Sequence, residues 1–168
     1  NLGVCYENGE GVEKNAAEAV KFYRKAAKQG ESGAQFFLGD CYMFGDGIEK
    51  NLAEAIKWYR KSAEQGNAIA QYKLGSCYEF GNGVEKNPSE CFQWYHKAAE
   101  QGVADAQCDL GICYANSFGV EKNLSEAVKW WHKAAEQGNA RAQNNLGVSY
   151  EFGKGTNSNV FEAVKWYR

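Results

Sequence analysis

Residues 31–66 read ESGAQFFLGDCYMFGDGIEKNLAEAIKWYRKSAEQG. In the first half, Ala34, Leu38, Cys41, Tyr42 and Gly45 follow helical spacing. The turn Gly45-Asp46-Gly47 ends that helix, because glycine tolerates the left-handed conformation of a helix C-terminus. Asn51 then stands three residues before Glu54, which reads as an N-cap with a capping-box-like partner. The second helix is expected over Leu52–Gln65, with Ala55, Trp58, Tyr59 and Ser62 on its buried stripe and Gly66 as its stop. Two helices this short are marginal alone in water, so each must bury its stripe on a neighbour.

Outward from this stretch, the pattern recurs every 36 residues. Leu2, Leu38, Leu74, Leu110 and Leu146 keep the step, each followed by glycine. So do Tyr6, Tyr42, Tyr78, Tyr114 and Tyr150, and Phe22, Trp58, Trp94, Trp130 and Trp166. The cap pair recurs as Asn15/Glu18, Asn87/Glu90, Asn123/Glu126 and Asn159/Glu162, with Pro88 at the first helical position. Four such columns hold 18 of the 19 glycines, so the unusual composition is one unit copied along the chain. The expected architecture is all-α: a right-handed α/α superhelical solenoid of 36-residue helix-pair repeats. The chain divides into a partial repeat 1–30, repeats 31–66, 67–102 and 103–138, and a partial repeat 139–168. It starts and stops inside a unit, and is expected to belong to a longer chain.

The composition narrows function. Net charge is −2 with 24% charged residues, which argues against nonspecific nucleic-acid binding and docking on anionic membranes. No run of about 18 apolar residues is present to span a bilayer.

The residues Ala70, Leu74, Gly75, Tyr78, Gly81, Gly83 and Val84, then Trp94, Tyr95, Lys97, Ala98, Ala99, Glu100, Gln101 and Gly102, resemble the Sel1-like repeat family, a relative of the tetratricopeptide repeats. The resemblance covers the whole chain. It implies a non-catalytic adaptor that brings other proteins together, with the first helix of each pair lining a concave face. Departures are local: Ser117 replaces the first loop glycine, Thr156-Asn157-Ser158 replaces Val-Glu-Lys, and Cys91 stands in an alanine column.

No catalytic set emerges. Cys5, Cys41, Cys77 and Cys113 share one inward column and read as small buried residues, too far apart across repeats to bridge. A bridge between Cys77 and Cys91 is the one pairing that stays open. No C-x-x-C occurs, so neither metal nor cofactor is expected. His96 and His132 share a column with Arg24, Arg60 and Arg168 and read as exposed polar residues. The Trp/Tyr pairs read as core rather than as a stacking platform. The Gly-rich loops lack a following Lys-Ser/Thr, so they are turns and not phosphate cradles.

Function should lie where copies differ on a fixed frame. With Leu38 at the centre of the buried face, Phe36, Asp40 and Met43 fall opposite it. Their equivalents are Tyr72, Ser76 and Glu79; Cys108, Ile112 and Ala115; and Asn144, Val148 and Glu151, with Val4 and Glu7 in the first copy. These columns vary, and Phe36, Met43, Tyr72 and Ile112 are apolar where solvent is expected, as at a partner site. Lys57, Lys61 and Glu64 recur almost unchanged on the outer face of the second helix. The expected partner is a protein or peptide; the alternative is a small-molecule- or glycan-binding or hydrolytic module. Phe161, Val164 and Trp166 leave the last helix without a polar cap, so end-to-end self-association is expected. The compartment stays open; the absence of a repeated cysteine pair tilts the reading toward the cytoplasm.

Overall fold

The computed structural model describes residues 2–168; Asn1, where the sequence places the start of the first helix, lies outside them. The described residues form ten α-helices and no strand. They fall into two compact units, one through Lys86 and one over Asn87–Arg168. The first holds α1 Leu2–Asn8, α2 Ala16–Lys28, α3 Ser32–Phe44, α4 Leu52–Glu64 and α5 Ala68–Phe80. The second holds α6 Pro88–Glu100, α7 Ala104–Asn116, α8 Leu124–Glu136, α9 Ala140–Phe152 and α10 Val160–Tyr167. Odd-numbered helices are the A helices of the pairs and even-numbered ones the B helices. Within each unit every helix packs on the next one in sequence.

The helix ends follow from the sequence. The side chains of Asn15, Asn51, Asn87, Asn123 and Asn159 accept a hydrogen bond from the backbone N–H of the glutamate three residues on. The expected box is only half made. Asn51 N–H donates to the Tyr42 carbonyl at 2.9 Å, while the Glu54 carboxylate pairs outward with Lys57 at 3.0 Å. The loop thus uses the donor that a full box would give to glutamate. Gly45 closes α3 in the left-handed region at φ 84°, and Ser117 takes the same conformation at φ 59° where the loop glycine is lost. Gly47 is needed for space as well: a Cβ there would strike the backbone of Ala16.

The first unit's core is built from Ala19, Val20, Tyr23, Ala27, Ala34, Leu38, Cys41 and Trp58. The second unit repeats it with Cys108, Ala127, Val128, Trp131, Ala134, Ala135, Ala142 and Leu146. Burying a leucine such as Leu38 contributes about 1.5–3 kcal/mol, and the helix pair collects that term from both partners. Polar atoms in this core are satisfied by the repeat itself. Gln35, Gln71 and Gln107 are buried, and each donates to a carbonyl in the last turn of the preceding B helix: Ala27, Ala63 and Ala99, at 3.0–3.1 Å. Each of those carbonyls also accepts the backbone N–H of the glycine three residues on, Gly30, Gly66 or Gly102. Gln65 and Gln137 extend the chain of bonds by donating to Gln35 and Gln107 at 2.7 and 2.8 Å.

The histidine column differs from the exposed reading. Arg24 donates to the Tyr42 hydroxyl of the next repeat at 3.2 Å, Arg60 likewise to Tyr78, and His132 Nε2 lies 3.0 Å from the Tyr150 hydroxyl. His132 is half-buried between the rings of Tyr150 and Trp166, met edge to face. At Arg60 and His132 the column therefore latches one repeat to the next, while Arg24 and Arg168 are exposed as expected.

Candidate functional site

A cleft recurs where one A helix ends against the next A helix, above the N-terminus of the intervening B helix. Between the first two repeats it is lined by Glu7, Lys14, Ala16, Ala19, Tyr23, Cys41 and Asp46, with a volume of about 170 Å3. Between the second and third it is lined by Met43, Phe44, Tyr59, Lys73, Ser76, Cys77 and Asn82, about 150 Å3. Between the fourth and fifth it opens to about 390 Å3 and is lined by Ala115, Asn116, Lys122, Leu124, Trp131, Asn145, Val148, Ser149 and Lys154. Four equivalent columns recur in all three, while the size and the chemistry of the lining change.

The aromatic residue at the cleft floor is positioned by the core glycine of its A helix, which leaves room for the ring. Its polar tip then fixes the cleft wall. Tyr23 donates to the Glu7 carboxylate, Tyr59 to Asp40 at 2.5 Å and Tyr167 to Glu151 at 2.8 Å. Burial drives the Tyr23 and Tyr59 phenols far above their ordinary range, and the neighbouring carboxylate adds to this. Asp40 is raised by burial, opposed by the Tyr59 hydrogen bond and by Lys73. Trp131 has no hydroxyl; its indole N–H donates to the Cys108 carbonyl at 3.1 Å.

The expected strip is partly redistributed by these contacts. Met43 and Ser76 meet in one cleft, and Ala115 and Val148 in another. Ile112 and Asn144 line a shallower depression with Ala140, Arg141 and Asn145. Asp40 and Glu151 are held by tyrosine hydroxyls, so they belong to the frame as much as to the surface. Phe36 is half-buried, its ring stacked 6.1 Å from Tyr59 and tilted against Phe37 at 5.2 Å. Tyr72 and Glu79 are half-buried on α5. Cys108 is a correction: it is fully buried in the core beside Trp131, and burial pushes its thiol up to about 11. It offers no surface to a partner.

The strip is also less exposed than expected, because α3 packs on both α2 and α4, and α7 on both α6 and α8. The open apolar positions lie elsewhere. Phe44, Phe80 and Phe152, the last residues of α3, α5 and α9, are 63%, 58% and 62% exposed. Sequence reasoning missed this column, although its 36-residue step was visible. It also missed the loop column Glu10, Asp46, Asn82, Phe118 and Lys154, which varies as freely as the strip and edges the clefts.

Cys41, Cys77 and Cys113 are buried free thiols, so Cys77 forms no bridge to Cys91. Burial pushes Cys41 up to about 12 and Cys77 to about 11, which suppresses thiolate chemistry. Among the described residues, no three His, Cys, Asp or Glu groups converge as for a metal ion. No helix is long and apolar enough to cross a membrane. On the outer face Lys61, Lys97 and Lys133 lie over the rings of Trp58, Trp94 and Trp130 at 4.7, 4.1 and 3.8 Å.

Comparison with known proteins places this arrangement. The Sel1 repeat matches residues 1–31, 32–67, 68–103, 104–139 and 140–168. A Sel1 repeat protein from Oxalobacter formigenes is 44% identical, with a TM-score of 0.94 over 99% of this chain and 68% of that one. A protective antigen present in uropathogenic Escherichia coli strains, displaying an SLR fold, is 38% identical, with a TM-score of 0.95 over 98% of this chain and 35% of that one. The rat (Rattus norvegicus) protein DAP3-binding cell death enhancer 1 is 54% identical over 35 residues, 21% of this chain. The chain spans 7% of that relative's length. Sel1 repeat proteins are generally protein-interaction scaffolds and typically non-catalytic. With its repeats matched end to end, the chain belongs to the Sel1 repeat family.

Proposed function

We propose that the chain is a non-catalytic scaffold that holds a peptide or protein segment along its A helices, the face that the resemblance makes concave. One observation carries this reading: the same cleft recurs between A helices with a repeated floor and a different lining each time. A uniform surface has no means of choosing a sequence; a row of unlike clefts does. The contact set comprises Phe36, Met43, Tyr72, Ser76, Glu79, Ile112, Ala115, Asn144 and Val148, with Asp40 and Glu151 fixed by tyrosines and with Phe44, Phe80 and Phe152 at the rim. The rat relative is named for binding another protein, which agrees with this reading for the one repeat it shares.

The test is selection of binders from a displayed random-peptide library on the purified chain, followed by affinity measurement on variants. Tyr72→Ala with Ile112→Asp is expected to weaken selected peptides at least tenfold. Aromatic anchors at interfaces carry about 2 kcal/mol or more. Lys57→Glu with Lys61→Glu, on the outer face, is expected to change affinity less than threefold. Loss of binding in the outer-face variant with retention in the A-helix variant overturns the site.

A further inference from the structure

We infer that the cleft between the fourth and fifth repeats binds a carboxylate side chain of an acidic peptide segment, through Lys122 and Lys154. This inference rests on the scaffold reading and gives its partner a chemistry.

In the equivalent clefts of the first unit acids lie near the lysines, although neither Lys14 nor Lys73 is in an ion pair among the described residues. Lys14 shares its cleft with Glu7 and Asp46. Lys73 lies in a cleft whose neighbouring Asp40 feels its charge. At the cleft between the fourth and fifth repeats each of those positions has lost its acid. Ala115 stands for Glu7, Ile112 for Asp40 and Lys154 for Asp46. The cleft is left with two lysines and no acid in its lining. Among the described residues neither Lys122 nor Lys154 forms an ion pair, whereas Lys129 is held by Glu126 at 2.6 Å and Arg141 by Asp109 at 2.8 Å.

The rest of the lining suits a carboxylate on an extended chain. Asn116 and Asn145 supply amide donors at the wall. Ser149 is buried yet lines the cleft. The Trp131 indole N–H is already bonded to Cys108, so its ring offers an apolar floor for the methylenes next to the acid. Phe152 is exposed at the rim, 5.3 Å from the Lys154 ammonium, and provides an apolar shelf for a flanking residue. Both lysines are exposed, and an ammonium that meets a carboxylate makes charge-assisted hydrogen bonds, which are stronger than neutral ones.

The probe is the acetylated, amidated peptide Gly-Glu-Phe-Asp-Leu-Glu-Gly, compared with its Gln/Asn twin by fluorescence anisotropy on the full chain. At low salt the acidic peptide is expected to bind at least tenfold more tightly, and the preference is expected to shrink as salt is raised. Lys122→Glu with Lys154→Glu, and the milder Lys122→Gln with Lys154→Gln, are expected to abolish it. Lys25→Glu with Lys28→Glu on α2 changes net charge as much as the first pair and is expected to leave it intact. Equal binding of the two peptides overturns the carboxylate assignment but not the scaffold reading. Equal loss in the α2 variant overturns it in favour of general charge attraction. No binding of either peptide, while library-selected peptides still bind, also overturns it. A chain that selects no peptide removes the scaffold reading itself.

Discussion

Gly39 of α3 faces the ring of Tyr59 of α4 so closely that a Cβ at Gly39 would stand 2.6 Å from Cδ1 and 2.7 Å from Cε1. The pair recurs as Gly111 against Trp131 and Gly147 against Tyr167. Tyr59 is fully buried and its hydroxyl is tied to Asp40, so the ring has nowhere to retreat.

Gly39→Ala is therefore expected to destabilise the chain by about 1–3 kcal/mol, the usual cost of overpacking, despite alanine's better helix propensity. Gly33→Ala, on the same helix with nothing within 4 Å of an added Cβ, is expected to be neutral or to stabilise by up to about 1 kcal/mol. Chemical denaturation of both variants checks the sign. Equal effects would remove the ring contact as the reason for the glycine.

Trp58→Ala is expected to cost about 3–5 kcal/mol. Trp58 is buried and its indole N–H has no partner among the described residues. Trp58→Phe therefore removes an unsatisfied donor along with some volume and is expected to cost far less. A midpoint for Trp58→Ala equal to the parent's would refute the packing.

Burial lowers the His132 pKa, with Lys165 adding to the effect and Glu136 and Glu162 opposing it. The unfolded chain takes up its proton near pH 6.5, and the folded chain only below that. Stability from this group is thus full above about pH 6.5 and falls as pH drops toward the folded value. His132→Gln is expected to flatten the melting temperature between pH 7.5 and 5.5 relative to the parent, read as a difference between the two curves.

Val164 on α10 is 45% exposed, whereas Val128, one repeat earlier, is 7% exposed. Val160 and Phe161 beside it are also open. The 168-residue chain is expected to self-associate through this face, and Phe161→Lys with Val164→Lys is expected to shift it to monomer in sedimentation velocity. An unchanged profile would place the contact elsewhere.

Much of the frame was legible because backbone demands repeat with the period. Asn51 as a cap, Gly45 as a left-handed stop and Leu38 as core each answer a local requirement, and α4 runs Leu52–Glu64 where Leu52–Gln65 was expected. The site was less legible because a helical wheel marks only one buried face. It does not show the flanks by which α3 meets both neighbours, which half-bury Phe36 and leave Phe44 open. Cys108 was misplaced for a related reason: its burial depends on Trp131, 23 residues away, where other copies carry tyrosine.

The polar bonds joining neighbouring helix pairs span fixed distances along the chain: 8 residues for Gln35 to Ala27 and 18 for Arg24 to Tyr42. Excision or duplication of 36 residues within either unit returns each such donor to an equivalent acceptor. A gain or loss of a whole cassette therefore keeps these bonds in register. Each cleft is lined by two successive repeats, so under the scaffold reading shuffling their order would create new linings with no new side chain needed.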